Sequence, residues 1–371
     1  MHVLIEHSSS ELYGSDRSLL TIARTLSSLG NRVTVLLPTS GPLADRLDHA
    51  GAEVHFAPLA VLRREVLRSP RAAIRLARAY LRTSESVRDV GLTKPDVVMS
   101  NTTAMIAGRR LARHFGVPHV QMVREIFGSE SERALFSRLI SKSQYAIYVS
   151  AAARDQFRKQ PDVPCEVITS GADLSFCTYT ERAHSGRPVR LVCVGRLNSW
   201  KGQDTLIRAA AKLKEAGVAV NIRIVGGEYG GGSEAQKSLS DYADELGVRS
   251  LIEFAGEVAD ATPHYVWSDV SITPSKKAEP FGKVVIEAMN ASRPVVASAA
   301  GGPSEVLADG RGGRLFAPDD EEALANAVLE LSDPEVWDRT SREAFEKSQG
   351  YSAAASATRI AQALTQLGAR S

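Results

Sequence analysis

Short apolar runs rich in β-branched residues alternate with longer segments of helical period along the chain. Runs such as Arg32–Leu37 are almost continuously apolar, which is typical of parallel strands that helices cover on both faces. The segments between them are amphipathic, and Asp204–Ala216 is followed by Gly217, as helices commonly are. Because strands and helices alternate, the sequence predicts a doubly wound α/β fold with parallel sheets.

The number of strands predicts two domains rather than one. Thirteen runs qualify as strands, too many for one open sheet of this kind. They are Val3–Glu6, Arg32–Leu37, Glu53–Phe56, Asp96–Ser100, His119–Val123, Ala146–Val149 and Glu166–Thr169, then Arg190–Val194, Asn221–Val225, Leu251–Ala255, Asp269–Thr273, Pro294–Ala297 and Gly313–Phe316. We therefore predict Rossmann-like domains at 1–170 and 189–350 that face each other across a cleft. A linker at 171–188 would join them, and a C-terminal helix at 351–371 would pack back toward the first domain.

Composition excludes several classes of protein. The 371 residues are 43% hydrophobic and 24% charged, which is ordinary for a folded chain and unlike a disordered one. No apolar run reaches the ~18 residues of a membrane-spanning helix. Strand-like residues at His2–Ile5 argue against a signal peptide. The cysteines, Cys165, Cys177 and Cys193, lack metal-ligand spacing, so we expect a reducing, cytoplasmic setting.

The loop after the first strand is a candidate phosphate site. It contains small residues, Gly14 and Ser15 among them, that let a backbone approach a phosphate at the start of the following helix. The loop lacks the GxGxxG pattern, so a nicotinamide cofactor is not favoured. A plain turn in which Asp16 caps the next helix remains open as the alternative.

The first strand of the second half leads into a loop that carries two cations. Arg196 follows Gly195, and Lys201 comes five residues later, just before Gly202. Ligands of open α/β sheets bind beyond the carboxyl ends of the strands, where this loop lies. Arg could hold a diphosphate by bidentate contacts and Lys as a point charge. A pair of solvated surface charges is the alternative interpretation.

Two glutamates separated by seven residues form the third candidate. Glu279 lies in a loop before a helix, with Pro280 suited to the first helical turn. Glu287 would follow two turns later on roughly the same face, among apolar neighbours, so its carboxylate needs a partner. A carboxylate can accept two sugar hydroxyls. A simple charge at the helix N-terminus is the alternative for Glu279.

Together these motifs resemble those of the retaining nucleotide-sugar glycosyltransferases of family 4, which have the GT-B fold of two Rossmann-like domains. The matching residues are Gly195-Arg196, Lys201-Gly202, Glu279 to Glu287, Pro274-Ser275, Ala299 to Glu305, Ser100-Asn101-Thr102-Thr103 and Gly116-Val117-Pro118. The resemblance implies transfer of a sugar from a nucleoside diphosphate to a hydroxyl of a glycan or lipid-linked acceptor. The base would be uridine, with guanosine as the alternative, and the product a cell-surface polysaccharide or glycoconjugate.

The resemblance also implies roles for individual residues. The expected catalytic residues are Arg196, Lys201, Glu279, Arg124 and Glu125. The expected nucleotide-sugar-binding residues are Gly14, Ser15, Gly195, Gly227, Val258, Phe281, Gly282, Lys283 and Glu287. No cofactor is expected beyond the co-substrate. No Asp-x-Asp sequence occurs, so we expect a metal-independent hexosyltransferase in which Arg196 and Lys201 neutralise the diphosphate.

Arg124-Glu125 is a departure from the family pattern, in which a His-Asp or His-Glu pair is common. An arginine cannot act as a general base, because its pKa lies far above neutral. We expect Arg124 to position the acceptor or the diphosphate. A structural ion pair between Arg124 and Glu125 is the alternative.

The segment 61–90 carries eight arginines and three acidic residues. Arg71, Arg75, Arg78 and Arg82 recur at helical spacing and would form one basic stripe. Such a stripe could adsorb to the anionic inner face of the plasma membrane, although a solvated helix face is the alternative. Nucleic acid is not an expected partner, because aromatic residues are not interleaved with the basic ones and the net charge is only +2.

Two other functions remain open on the same scaffold. One is a catalytically silent nucleotide-sugar-binding protein, and the other is a nucleotide-sugar epimerase. The Arg196–Lys201 loop combined with the two spaced glutamates argues against the epimerase.

Overall fold

The computed structural model describes residues 1–62, 66, 69–89, 91–174, 179, 188–228 and 231–369. The chain divides into two compact units. Unit 1 comprises Met1–Ser170 and Ala353–Ser371, and unit 2 comprises Gly171–Ser352. Most of the predicted linker 171–188, and part of the arginine-rich segment 61–90, lie outside the described residues.

Unit 1 is built on a seven-stranded parallel sheet with the order β3-β2-β1-β4-β5-β6-β7. The strands are β1 His2–Glu6, β2 Arg32–Leu37, β3 Ala52–Phe56, β4 Val97–Ser100, β5 His119–Val123, β6 Tyr145–Tyr148 and β7 Cys165–Val167. The helices are α1 Gly14–Ser28, α2 Pro42–His49, α3 Pro70–Asp89, α4 Gly108–Phe115, α5 Glu130–Ile140, α6 Ala151–Asp155 and, from the end of the chain, α14 Ala353–Gly368.

Unit 2 repeats the design with a six-stranded parallel sheet of order β10-β9-β8-β11-β12-β13. The strands are β8 Val189–Val194, β9 Val220–Val225, β10 Ile252–Gly256, β11 Val270–Thr273, β12 Val295–Ser298 and β13 Gly313–Phe316. The helices are α7 Gln203–Glu215, α8 Glu234–Glu245, α9 Thr262–Trp267, α10 Lys283–Asn290, α11 Gly302–Val306, α12 Glu321–Glu330 and α13 Pro334–Ser348.

The predicted doubly wound parallel architecture is confirmed in both units, and each of the thirteen predicted strands is present within one or two residues of its expected bounds. The strand order reverses between β1 and β4 in unit 1 and between β8 and β11 in unit 2. Ligands of such sheets bind beyond the carboxyl ends of the strands at these switch points. The loops after β1, β4, β8 and β11 are therefore the places to examine.

The central strands are apolar because both of their faces are covered. Every residue of β1 and of β12 is buried, and Trp337 from α13 is buried against the core of unit 2. The indole N–H of Trp337 donates to the carbonyl of Asp269 at 2.7 Å. Among the described residues, no helix is both long and apolar enough to cross a lipid bilayer.

Helix α14 belongs to unit 1, although unit 2 separates it from the rest of that unit in sequence. It packs against α1, and Arg359 forms an ion pair with Glu166 of β7. Its buried residues include Ile360, Ala361 and Leu364. Two distant stretches of sequence therefore complete one hydrophobic core.

A buried polar network lies at the carboxyl ends of β1 and β4. The hydroxyl of Ser100 donates to Oε1 of Glu6 at 2.6 Å and accepts from Nε2 of His119 at 2.7 Å. Gly108 packs directly on these three side chains, since a Cβ there would lie 2.2 Å from the Ser100 oxygen. Burial raises the pKa of Glu6 to about 7 and lowers that of His119 to about 3. Burial in the fold therefore favours the uncharged form of both side chains.

The raised pKa of Glu6 predicts a pH-dependent stability. The folded-state pKa lies above the unfolded one, so the contribution of Glu6 to stability is fully present at low pH and is lost as pH rises from about 4.5 to 7. The loss amounts to at most about 3 kcal/mol. Glu6→Gln should remove most of it, whereas Glu11→Gln, at an exposed position, should not. Urea unfolding at pH 5 and pH 8 measures the effect, and an unchanged pH dependence in Glu6→Gln would contradict it.

Candidate active site

The loops that follow β8, β9 and β10 meet at one edge of the sheet in unit 2. The amide of Gly195 donates to the carbonyl of Val225 at 2.9 Å, and the amide of Leu197 donates to Gly227 at the same distance. Gly226 has φ +136°, and a Cβ there would lie 2.1 Å from the carbonyl oxygen of Gly195. Only glycine fits this close crossing. Two residues predicted to bind nucleotide sugar, Gly195 and Gly227, are thus neighbours.

Val258, a third predicted binding residue, lies two residues beyond β10 in the same group of loops. Its neighbour Glu257 lies beside Gly227, where a Cβ would come within 3.3 Å of the Glu257 side chain. The amide of Gly226 also donates to Gly256 at 2.7 Å. The backbone, rather than any charged side chain, holds this part of the edge together.

The side chain of Lys201 is largely buried, and its ammonium group makes two interactions. Its Nζ lies 2.8 Å from Oε1 of Glu279 and 4.6 Å from the centre of the Trp200 ring. The side chains of Lys201 and Glu279 are only 15% and 7% exposed. Asn198 holds the turn, because its Oδ1 accepts from the amides of Trp200 and Lys201. The sequence placed both charges at this edge but did not predict that they would pair.

Arg196 differs from Lys201 in exposure. Its side chain is exposed, while its carbonyl accepts a hydrogen bond from Gln203 at 3.0 Å. Gln203 is the first residue of α7 and is buried. The loop backbone is therefore anchored, and the guanidinium of Arg196 extends from a fixed position at the carboxyl end of β8.

Glu279 lies in the loop before the helix, as predicted, but Pro280 does not belong to the first helical turn, which corrects that expectation. Helix α10 begins at Lys283, after Gly282. Glu279 instead forms a single β-bridge with Gly301, and its carbonyl accepts from the amide of Gly302 at 2.8 Å. The two glutamates therefore do not share a helix face. The hydroxyl of Ser275 also donates to Oε1 of Glu279.

The turn into α10 depends on glycine. Gly282 has φ +80°, a left-handed conformation that disfavours a side chain, and a Cβ there would lie 2.8 Å from Pro303. Phe281 just before it is buried against Tyr351, with ring centres 5.9 Å apart. Lys283 is the first helical residue, and Gly282 offers no capping side chain. The first-turn amides of α10 are suited to an anion.

Glu287 has the buried partner that its apolar neighbours require. The hydroxyl of Tyr265, at the end of α9, donates to Oε2 of Glu287 at 3.2 Å. Burial, followed by the negative charge of Glu287, raises the pKa of Tyr265 well above its usual value, so the phenol stays protonated and can keep donating. Sequence reasoning missed Tyr265 because it is 22 residues away from Glu287.

In unit 1, α1 begins at Gly14, so Asp16 is not the residue that precedes the helix. This corrects the interpretation of Asp16 as an N-cap. Asp16 is the third helical residue, and its carboxylate accepts from the amide of Tyr13 at 2.8 Å and from Nε2 of His7 at 2.7 Å. Gly14 and Ser15 form the first turn, with Gly14 exposed and open space around its Cα. The phosphate site predicted at Gly14 and Ser15 would therefore lie in the first turn of α1, which also carries the carboxylate of Asp16.

His7 links the carboxyl ends of β1 and β4. Its Nδ1 accepts from the side-chain amide of Asn101 at 3.1 Å, while its Nε2 donates to Asp16. Both His7 and Asp16 are almost fully buried. No motif pointed to His7, and the only signal in the sequence was a histidine directly after a buried strand, next to the predicted loop.

Arg124 and Glu125 are neighbours but do not form the ion pair considered from the sequence. Within the described residues, the guanidinium of Arg124 donates to the carbonyl of Asn101 at 3.1 Å and to Ser170 at 3.3 Å. The carboxylate of Glu125 accepts from the hydroxyl of Thr103 at 2.7 Å and from the backbone amide of Arg124 at 3.0 Å. Burial lowers the pKa of Arg124 to about 10, so it remains charged at neutral pH.

The part of the chain described by the structure contains no group of three or more His, Cys, Asp or Glu side chains placed to hold a metal ion. Two acidic side chains at the carboxyl edges instead pair with a nitrogen base, Glu279 with Lys201 and Asp16 with His7.

Two family matches cover most of the chain. Residues 13–176 match the family described as Glycosyltransferase Family 4, and residues 188–333 match Glycosyl transferases group 1. The first match lies almost wholly in unit 1 and the second in unit 2. Together they support a glycosyltransferase of the family 4 type.

Several curated relatives are D-inositol 3-phosphate glycosyltransferases. The enzyme of Stackebrandtia nassauensis is 30% identical over 267 residues, which is 63% of this chain and 58% of that enzyme. The enzyme of Thermobifida fusca is 29% identical over 264 residues, which is 62% of this chain and 60% of that enzyme. The matched region thus spans less than two thirds of these relatives.

Solved structures show the same fold over nearly the whole chain. HepE of Anabaena, crystallised in complex with UDP and glucose, has a TM-score of 0.79 at 23% identity and covers 98% of this chain and 99% of that chain. Sucrose-phosphate synthase of Thermosynechococcus elongatus has a TM-score of 0.80 at 18% identity, with complete coverage of both. These likenesses establish the GT-B fold.

The bridge between Glu279 and Gly301 yields a test of the site's construction. Gly301 has φ +75°, and a Cβ there would lie 2.2 Å from the carbonyl oxygen of Glu279. Gly301→Ala should therefore lower the free energy of unfolding by more than the ~1–2 kcal/mol of a left-handed alanine alone. Gly310→Ala is the matched control, since Gly310 has φ +72° but open space around it. Equal losses in both variants, measured by urea unfolding, would show that the bridge is not tight.

Proposed function

We propose that the protein transfers a sugar from a nucleoside-diphosphate sugar, UDP-linked rather than GDP-linked, to a hydroxyl acceptor with retention of configuration. The observation that carries the proposal is the buried Lys201–Glu279 pair, which lies at the carboxyl edge of unit 2 with the N-terminus of α10 four residues beyond Glu279. A fixed cation and the amides of a helix N-terminus suit a diphosphate, and a carboxylate suits sugar hydroxyls. HepE, which shares the fold, was crystallised with UDP and glucose.

The donor half of the reaction would use unit 2. Arg196, Lys201 and the amides around Gly282 and Lys283 are proposed to stabilise the departing diphosphate, where preorganised charge contributes several kcal/mol. These cations supply the positive charge that a metal ion would otherwise provide, so the reaction is proposed to be metal-independent. Gly14 and Ser15 are proposed to add amides from unit 1.

Sugar and ribose recognition would fall to the two glutamates. Glu287 is proposed to accept the ribose hydroxyls, with Tyr265 holding its carboxylate in one orientation at 3.2 Å. Glu279 is proposed to accept sugar hydroxyls while it fixes the position of Lys201. The carboxylate of Glu279 would thus contact the sugar and also position the lysine that binds the diphosphate. Binding of the sugar would therefore be coupled to placement of the diphosphate.

The transfer step is proposed to occur on one face of the sugar. The bond between the anomeric carbon and the diphosphate oxygen breaks, the acceptor oxygen bonds to the same face, and the acceptor's proton passes to the departing diphosphate. Arg124 and Glu125 of unit 1 are proposed to position the acceptor, Arg124 by its charge and Glu125 through its bond to Thr103. Neither is required to take a proton.

We propose that α3 brings the protein to an anionic membrane. The side chains of Arg71, Arg75, Arg78 and Arg82 are all exposed on this helix. Ile74 and Leu81 are 52% and 61% exposed beside them. Each basic residue near such a surface contributes about 1 kcal/mol. The proposed location is the cytoplasmic face of the plasma membrane, where precursors of cell-surface glycans would be glycosylated.

The two cations after β8 provide the main test. Arg196→Ala and Lys201→Ala should each lower turnover of UDP-glucose, measured as UDP release, by at least about 10²-fold, because each removes charge from the leaving diphosphate. Lys212→Ala, which removes an exposed lysine of α7, should leave turnover unchanged. Near-normal turnover in either site variant would refute the diphosphate assignment. UDP binding without any turnover in the wild type would favour a silent binding protein.

Arg124 provides a test of the acceptor side. Arg124→Ala should lower the rate of transfer with little change in its pH profile, because a residue with a pKa of about 10 is not the proton acceptor at neutral pH. Arg124→Lys should recover part of the rate if charge matters and little if bidentate geometry does. Loss of the acidic limb of the profile in Arg124→Ala would contradict this role, and so would full activity.

A further inference from the structure

A cavity of about 520 Å³ lies in unit 1, which contributes all of its described lining residues. It is bounded by α3, α4 and α5, and His119 and Gln121 of β5 line it. Most of its lining is apolar, and Leu76, Met105, Phe136 and Leu139 contribute to it from two helices and a loop. A largely apolar space of this size is in the range of ligand pockets and too large to be a packing defect.

The described lining of the cavity carries cations and no carboxylate. Arg109, Arg110, Arg113 and Lys142 all line it, whereas no Asp or Glu among the described residues does. The Nε–H groups of Arg109 and Arg110 are buried and have no hydrogen-bond partner among the described residues. Buried donors of this kind are costly unless something accepts from them. The cavity therefore calls for an occupant with both an anionic group and an apolar body.

Arg110 is held in place. Its Nη2 donates to the carbonyl of Leu81 at 3.1 Å, and its guanidinium carbon lies 5.6 Å from the centre of the Tyr80 ring. Both contacts come from α3, the helix that also carries the exposed arginine stripe. The guanidinium of Arg110 and the arginine stripe on α3 are therefore close together, and both favour an anionic ligand.

One wall of the cavity touches the proposed acceptor residues. Thr103 lines the cavity, and its hydroxyl donates to Oε2 of Glu125 at 2.7 Å. A molecule in the cavity therefore lies one side chain away from Glu125, which follows Arg124 at the carboxyl end of β5. All of these residues belong to unit 1.

We propose that this cavity binds the hydrocarbon chain of an anionic lipid, with Arg109 and Arg110 contacting its charged group. A free inorganic anion would leave the apolar walls uncovered, and adsorption of α3 to a membrane surface would not require a cavity behind it. Resting on the proposed function, the inference makes the acceptor a lipid-linked one, whose chain is held beside Glu125.

Binding of simple amphiphiles tests the assignment without any sugar nucleotide. Calorimetry would compare dodecyl phosphate, hexyl phosphate and dodecyl maltoside, each below its micelle concentration. Affinity should rise roughly fourfold for each methylene group that is buried, so dodecyl phosphate should bind more than about 10³-fold tighter than hexyl phosphate. Equal affinity for the two phosphates would overturn the assignment of a hydrocarbon site.

A substitution that fills the cavity with a larger side chain tests whether the amphiphile binds there. Ala77 lines the cavity from α3 although its side chain is exposed, so Ala77→Trp can occupy the space without disturbing the core. This variant should bind dodecyl phosphate at least tenfold more weakly than the wild type. Ala134→Trp, on an exposed part of α5 outside the cavity lining, should bind it as the wild type does. Equal thermal unfolding midpoints would verify that both variants fold. Unchanged binding in Ala77→Trp would place the ligand elsewhere and overturn the proposal.

Charge substitutions test the anionic part. Arg109→Gln and Arg110→Gln should each lower the affinity for dodecyl phosphate at least tenfold. The affinity for dodecyl maltoside should stay almost unchanged in both variants. Arg138→Gln, an exposed arginine of α5 outside the lining, is the control. Equal losses for the charged and the neutral amphiphile would overturn the anionic specificity.

Donor turnover keeps this inference separable from the proposed function. Ala77→Trp should hydrolyse UDP-glucose at the wild-type rate, because the cavity lies in unit 1 and the donor residues in unit 2. Dodecyl phosphate binding without any turnover in the wild type would refute the transferase and retain the lipid site. Turnover without such binding would refute the lipid site and retain the transferase.

Discussion

Burial of the central strands on both faces is the constraint on which both units depend. Every residue of β1 and of β12 is buried, so these strands are largely apolar, and their few polar side chains, such as Glu6, lie at the strand ends. Most of the polar groups of the candidate sites lie beyond the strands. His7, Asn101 and Arg124 do so in unit 1, and Lys201 and Glu279 lie in the corresponding loops of unit 2. The location of the candidate chemistry follows from the packing of the sheet.

Each unit also places one acid beside one nitrogen base at the carboxyl edge of its sheet. In unit 1 the pair is Asp16 with His7, and in unit 2 it is Glu279, which follows β11, with Lys201, which follows β8. Removing two charges from water costs more than their attraction usually returns, so the pair of Lys201 and Glu279 contributes little to stability. It is better suited to keeping the charge of Lys201 in one position. Glycines at 226, 282 and 301 allow the backbones to approach closely enough to hold these positions.

Much of the fold and part of the site could be predicted from the sequence. Strands were predictable because burial on both faces leaves a local signal, and the Arg196–Lys201 loop because it follows one of them. The start of α10 could not be predicted. It depends on the left-handed backbone of Gly282 and on the bridge between Glu279 and Gly301, which arise from contacts across the sheet. Tyr265 was missed for the same reason, since only the folded chain brings it to Glu287.

The return of α14 to unit 1 has a consequence for synthesis on the ribosome. The strands of unit 1 emerge first, but the helix that covers α1 follows only after the 182 residues of Gly171–Ser352. At about 5–20 residues per second, that interval is roughly 10–40 s. During it, the nascent first unit has an apolar helix face without its cover. A chaperone that shields this face, or a translation rate tuned to shorten the delay, would affect the yield of folded protein more than any change within the sheets.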